Sequence, residues 1–261
     1  PMADVPQFQK YCILQMPLAQ DYESEDWTFE TLFNANKFTG KSSPTWLATA
    51  MGYNTAGGSG IANGFMLRLG DANVMGNILN GRIQFAGKGT ATTGLQAGIW
   101  HHVAIVSSKK TVTVYLDGSP LYSIAAGLDK VKFVAEQGLR LAGEDRTGTN
   151  ISTTTRYRYS QVRLWGEART AEQLKNNMYG VPEDSPNLWG YWKLDNYTTG
   201  KTNVNKGDKD LTVDGEKMEI DTYFFKDYTG KNPDAFVDRN PTYNSGGLLF
   251  DTNKRIEIGY P

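Results

Sequence analysis

Apolar and polar residues alternate along this chain in short runs, and glycine-rich turns cut the runs apart. Trp27-Thr28-Phe29-Glu30-Thr31-Leu32-Phe33 has period two, which places Trp27, Phe29 and Phe33 on one face of a strand. Residues 100–106 and 111–116 are further strands, and Asp117-Gly118 supplies the two positive-φ positions of a type I′ hairpin turn. Residues 121–124 return antiparallel, which sets Val114 opposite Leu121. Other strands are predicted at 10–16, 64–69, 82–85, 139–142, 157–165, 188–194, 222–225, 234–237 and 248–258. Along 188–194, Trp189 and Tyr191 alternate with Leu188, Trp192 and Leu194, so one of the two sets leaves the main core. A single segment breaks the period. Thr170 and Gln173 have capping-box spacing, Leu174 and Met178 stand four apart, Gly180 suits a C′ position and Pro182 blocks continuation. That predicts a helix of about ten residues. Segments 42–64 and 196–209, rich in small and polar residues, read as long loops.

Composition narrows the class. The 28 glycines and 12% aromatic content suit many short strands joined by tight turns, as in a sandwich or barrel. The 27 basic and 28 acidic residues nearly cancel, which leaves no basic footprint for nucleic acid in the totals. No apolar run approaches the roughly 18 residues of a membrane span, so direct membrane insertion is not expected. Residues 1–9 lack the charged and apolar regions of a signal peptide. Cys12 is the sole cysteine, so burial and strand pairing must hold the fold without an internal disulfide. The expected architecture is all-β, a two-sheet antiparallel jelly-roll sandwich with one short helix. One domain over residues 1–261 is expected, closed by 201–261.

Three stretches carry a family resemblance. Trp100-His101-His102-Val103-Ala104 with Val114-Tyr115-Leu116-Asp117-Gly118 forms the first. Val162-Arg163-Leu164-Trp165, Ala168-Arg169-Thr170, Glu172 and Met178 form the second, and Leu188, Gly190-Tyr191-Trp192 and Leu194-Asp195 the third. In this order and spacing they resemble laminin-G-like domains of the concanavalin A-like lectin/glucanase superfamily, most of all those on surface proteins of Bacteroides-type bacteria. The resemblance implies a jelly roll, a cell-surface or secreted location and calcium at one loop-lined end. The family's opening hairpin has its nearest match at Leu248-Leu249-Phe250-Asp251 with Ile256-Glu257-Ile258, near the C-terminus. Either this hairpin completes the sandwich from the other end, or it begins a further domain.

The motifs identify a fold before they identify a ligand, because Asp117-Gly118, the capping box, Trp165 and Trp192 all have structural roles. The chain has two histidines, His101 and His102. As neighbours on a strand they point to opposite faces and do not suit one metal ion. No Gly-x-Ser-x-Gly elbow accompanies them. Glycosidases of this superfamily carry paired carboxylates on one strand face, and neither Glu219-Ile220-Asp221 nor Glu23-Ser24-Glu25-Asp26 supplies that pattern. Gly57-Gly58-Ser59-Gly60 lacks the ending of a phosphate loop. Asp71, Asn73, Glu144 and Asp145 have the oxygen chemistry calcium needs, although such residues also form turns. Trp46, with Tyr53 and Asn54, is the candidate glycan contact, unless Trp46 folds over the sandwich edge as a plug. The expected function is a non-catalytic carbohydrate-binding or adhesive module whose partner is a glycan or a surface protein. The alternatives are a structural or protein-interaction domain and a laminarinase-type hydrolase.

Overall fold

The alternating stretch at residue 27 becomes strand Trp27–Ala35, an interior member of a seven-stranded sheet. The computed structural model describes residues 7–8, 13–35, 45–50, 66–69, 82–85, 88–92, 95–125, 131–135, 138–141, 157–203, 205–206, 209–210, 212–213, 216–217 and 219–238. In this first sheet the order is Gln7–Phe8, Tyr157–Trp165, Trp27–Ala35, Trp100–Ser108, Thr111–Leu116 and Ser119–Ala125, with Leu188–Trp192 also paired to Tyr157–Trp165. A second sheet of nine strands runs Thr198–Asn203, Glu219–Phe225, Ala235–Asp238, Ile13–Met16, Leu139–Leu141, Thr45–Ala50, Met66–Leu69, Arg82–Phe85 and Lys88–Thr92. The pairings in both sheets are antiparallel.

The two sheets share one apolar interior. Trp27, Phe29, Phe33, Ile105, Tyr159 and Leu164 of the first sheet pack in one cluster with Leu14, Met16, Leu67, Leu139, Leu141, Phe225 and Val237 of the second. Trp27, Phe29 and Phe33 therefore do share the inward face. The even-numbered positions of the same strand are buried too, because the first sheet is covered on its outside as well. Helix Ala171–Asn177 lays Leu174 over Ala104 and Val106 there. The sandwich architecture expected from the residue pattern is the one observed. Among the described residues no helix is long and apolar enough to cross a membrane.

Several local expectations are corrected, each for a physical reason. Val114 faces Tyr122 rather than Leu121, because the register shifts between Val114 and Tyr115, where Tyr115 faces Pro120. Proline has no N–H to give the ladder, and a bulge absorbs the break. The turn itself is as expected, with Asp117 at φ 49° and Gly118 at φ 75°. The helix has seven residues and its capping box is complete, but it ends on Met178 in ordinary helical geometry instead of on a left-handed Gly180. Leu188 does not go with Trp192. A shift between Leu164 and Trp165 leaves Trp189 as an extra residue, so Leu188 packs outside the core with Tyr191 and Trp165. Gly166 makes room for it, since a Cβ there would stand 2.3 Å from the Trp189 ring.

Two predicted loops contain strands. Thr45–Ala50 lies inside segment 42–64, and Thr198–Asn203 inside 196–209. The second is an edge strand, where polar residues are expected because they blunt unwanted pairing. The predicted strand at 248–258, and the choice between closing hairpin and further domain, lie outside the described residues.

Residues 198–238 are tied into the same body. Leu14 faces Val237 across adjacent strands. The buried Asp227 carboxylate accepts from Tyr191 N and Asn232 N, both at 2.8 Å, from Thr229 Oγ1 at 2.7 Å and from Asn232 Nδ2 at 3.0 Å. Asn232 Oδ1 in turn accepts from Ala19 N at 3.2 Å and Tyr22 OH at 3.3 Å. Replacing Asp227 with Ala orphans several buried donors at once and should cost on the order of 3 kcal/mol of unfolding free energy in urea titration. An unchanged urea midpoint would show that the turn does not anchor this segment.

Candidate functional site

Trp46, expected in a loop, stands in strand Thr45–Ala50. The register sets Trp46 opposite Arg68, Arg68 opposite Gln84, and Gln84 opposite Thr90, one row crossing four strands of the second sheet. The neighbouring row contains Leu67, which is buried in the shared interior. Successive rows of a pleated sheet alternate between its faces, and by backbone register the Trp46 row alternates with the Leu67 row. Gln15, Arg140 and Thr49 form a further row, flanked by core residues Leu14, Met16, Leu139 and Leu141. Within it Arg140 Nε donates to Gln15 Oε1 at 2.8 Å. A register shift between Trp46 and Ala48 bulges the strand beside the tryptophan, a device that locally bends a sheet.

Trp46, Arg68, Gln84 and Thr90 thus follow one another across four paired strands, roughly 14 Å at the usual strand spacing. Arg68, Gln84 and Thr90 escaped the sequence reading. They lie far from Trp46 along the chain, and the only signal linking them is cross-strand register. Tyr53, Asn54, Asp71, Asn73, Glu144 and Asp145 lie outside the described residues. Among the described residues, no three His, Cys, Asp or Glu side chains are grouped to hold a metal ion.

The first sheet contains a different constellation, closed to solvent. Glu30 is 1% exposed, and its Oε1 accepts from Trp165 Nε1 at 2.7 Å while Oε2 meets His102 Nε2 at 2.8 Å. Arg163 stands directly across the strand pair from Glu30. Its Nε lies 3.2 Å from Oε1, close enough for charge pairing though not aligned as a hydrogen bond. The other guanidinium nitrogens donate to the carbonyls of Asn177 at 2.7 Å and Met178 at 3.2 Å, so Arg163 also caps the helix C-terminus. Burial by itself would raise the Glu30 pKa. The Arg163 charge, His102 and the Trp165 N–H outweigh it and hold the carboxyl below its ordinary value of 4.5. A glutamate beside a histidine suggests acid–base chemistry, but both side chains are sealed from any substrate.

His101 points the other way, as strand alternation requires. Its Nδ1 lies 2.8 Å from Asp117 Oδ2, and its Nε2 accepts from Gln96 N at 3.4 Å, which assigns the ring proton to Nδ1. Asp117 Oδ1 also accepts from His102 N at 2.8 Å, so this histidine and the hairpin turn brace one another. The two rings cannot share an ion.

This architecture of two antiparallel sheets around one apolar interior is that of a concanavalin A-like jelly roll. The chain belongs to the concanavalin A-like lectin/glucanases superfamily, whose laminin G sequence pattern matches residues 11–175. Strands Leu188–Trp192, Thr198–Asn203, Glu219–Phe225 and Ala235–Asp238 extend the same two sheets beyond the matched region. A solved structure of a candidate carbohydrate binding protein from Bacteroides ovatus is similar at TM-score 0.61 and 21% identity, over 98% of this chain and 62% of that one. This chain therefore spans under two thirds of that protein's length. A heptameric SAP-like pentraxin from Limulus polyphemus is similar at TM-score 0.48 and 16% identity, over 72% of this chain and 89% of the pentraxin. No curated protein matches the chain in sequence.

Glu30→Gln removes the counter-charge of a buried arginine and should lower stability by about 3–5 kcal/mol. The pH response has a definite sign. Because the folded pKa lies below the unfolded value, the stabilisation is complete above an unfolded glutamate pKa of about 4.3. It is lost as pH falls through the lowered folded value. Urea midpoints measured from neutral pH into acid should fall less steeply in Glu30→Gln than in the wild type. Parallel curves would remove Glu30 as the acid-sensitive group.

Proposed function

We propose that this chain is a non-catalytic glycan-binding module of a bacterial cell-surface protein, with the Trp46 row as its contact surface. The observation that carries the reading is the alignment of Trp46, Arg68, Gln84 and Thr90 across four adjacent strands. An indole offers an apolar plane for the C–H face of a sugar ring, and the three polar residues supply donors and acceptors for its hydroxyls. Hydrogen bonds from a charged guanidinium are stronger than neutral ones, which would favour Arg68 as a contact to sugar hydroxyls. The fold likeness to the Bacteroides ovatus protein, described as a candidate carbohydrate binder, supports the same reading. The four strands that form the row carry no Asp or Glu, the residue types that glycoside hydrolysis pairs, which supports the non-catalytic reading. Tyr53 and Asn54 follow this strand in sequence and are proposed as additional contacts.

On a glycan array, the full chain should bind a defined set of oligosaccharides. Trp46→Ala should weaken that binding about tenfold or more, equivalent to ~1.4 kcal/mol, at an unchanged melting temperature. A folded protein that binds no glycan would sink the proposal, and retention of affinity in Trp46→Ala would move the site elsewhere.

Calcium is proposed separately at Asp71, Asn73, Glu144 and Asp145, on their donor chemistry. Added calcium should raise the melting temperature, a chelator should reverse the rise, and Asp71→Asn with Asp145→Asn should abolish it. The absence of both a shift and a titration heat would remove the ion from the reading.

A further inference from the structure

The buried charges of the first sheet lie on the side away from the shared interior. Glu30 follows Phe29, His102 precedes Val103, and Arg163 stands between Val162 and Leu164. Those four neighbours belong to the interior cluster, and successive residues of a strand point to opposite faces. Glu30, His102 and Arg163 therefore share the outer face with two small apolar clusters. One is Leu174 with Ala104 and Val106, and the other is Trp165 with Leu188 and Tyr191.

What covers this face is short and tied at few points. Residues 169–181 comprise the helix and its two flanks. At the first flank Arg169 N donates to Thr28 Oγ1 at 2.9 Å, and the Arg169 guanidinium lies 4.1 Å over the Trp165 ring. Within the helix Leu174 is the buried residue. At the far end Arg163 donates to the carbonyls of Asn177 and Met178, and Val181 packs against Trp165, Leu188 and Tyr191. A seven-residue helix has no stability of its own, and segments with few buried contacts open at lower free energy than a core. One end of the cover thus hangs on Arg163, and Arg163 is balanced by Glu30.

We propose that residues 169–181 form an acid-released cover, which leaves the first sheet as a unit when Glu30 takes up a proton while the interior between the sheets stays closed. Protonation leaves the Arg163 charge buried without its counter-charge, and nothing else around it substitutes. Arg169 is a second cation, and its Nη1 is engaged by Glu167 at 2.8 Å. The Tyr191 ring, 5.7 Å from the guanidinium, carries a phenol that burial keeps neutral. A second proton on His102 would sit at Nδ1, which meets no partner among the described residues. Moving the cover aside lets water reach Arg163, at less cost than opening the interior. The sign is definite. Glu30 is held below its ordinary 4.5 in the closed form, so the cover is held fully above that value and released as pH falls through the lowered one. Release exposes Ala104, Val106, Trp165 and Leu188 as an apolar strip.

The test is amide hydrogen exchange of the full chain, followed from neutral pH into acid and corrected for the intrinsic pH dependence of exchange. The reporters of the cover are Leu174 N and Gly180 N, which donate to the carbonyls of Thr170 and Asn177. In acid they should lose about tenfold or more of their protection, while the amides of Ile105, Val112 and Val114 keep theirs. E30Q should show the same selective loss already at neutral pH, about a hundredfold, and respond less to acid. L174A weakens the cover without touching a charge and should move the acid response to higher pH. Loss of protection by the cover and the interior strands together would overturn the inference. So would a cover that stays protected in E30Q, an E30Q chain that fails to fold, or an L174A response at unchanged pH.

Discussion

A carboxylate buried in the middle of a β-sheet has to be answered from every side, and much of the first sheet is organised around that demand. Glu30 lies at 1% exposure between the strands that carry His102 and Arg163. Leaving the Glu30 or the Arg163 charge unanswered in a low-dielectric interior would cost several kcal/mol. Arg163 answers Glu30 and also meets the last carbonyls of the helix. Thr28 Oγ1 holds the approach to the helix from the same strand, donating to Glu167 O at 2.8 Å and accepting from Arg169 N at 2.9 Å. The helix thereby gains one docking position, and Leu174 is set on Ala104 and Val106.

That arrangement separates the roles of the two sheets. The first is covered on its outer side around Glu30, His102 and Arg163, so these polar residues serve the fold. His102 and Glu30 illustrate the distinction, since a pair that looks like acid–base machinery in isolation is closed off. The second sheet aligns Trp46, Arg68, Gln84 and Thr90 across four strands, with a register shift next to the tryptophan. A rigid interior held by burial and by the Asp227 turn gives such a row a fixed spacing.

Net charge near zero concealed a strong internal separation. Totals of 27 and 28 say nothing about where charges meet. Arg68, Arg82, Lys88 and Arg140 all fall within residues 68–140, and strand pairing brings them into one sheet.

Much of the fold was legible in local chemistry. Period-two patterning marked Trp27–Ala35 because one face had to be apolar. Asp117-Gly118 marked its hairpin because few residues accept positive φ, and Thr170 with Gln173 marked the helix start because orphan N–H groups need acceptors. Where structure depended on partners distant in sequence, local chemistry was silent. Thr198–Asn203 is polar and became a strand by pairing with Glu219–Phe225. Val114 changed partner because of Pro120 on the facing strand. The sequence by itself determined the strand-rich jelly roll and singled out Trp46. The tertiary structure alone decided which residues stand beside it, because cross-strand register joins positions that no linear spacing relates.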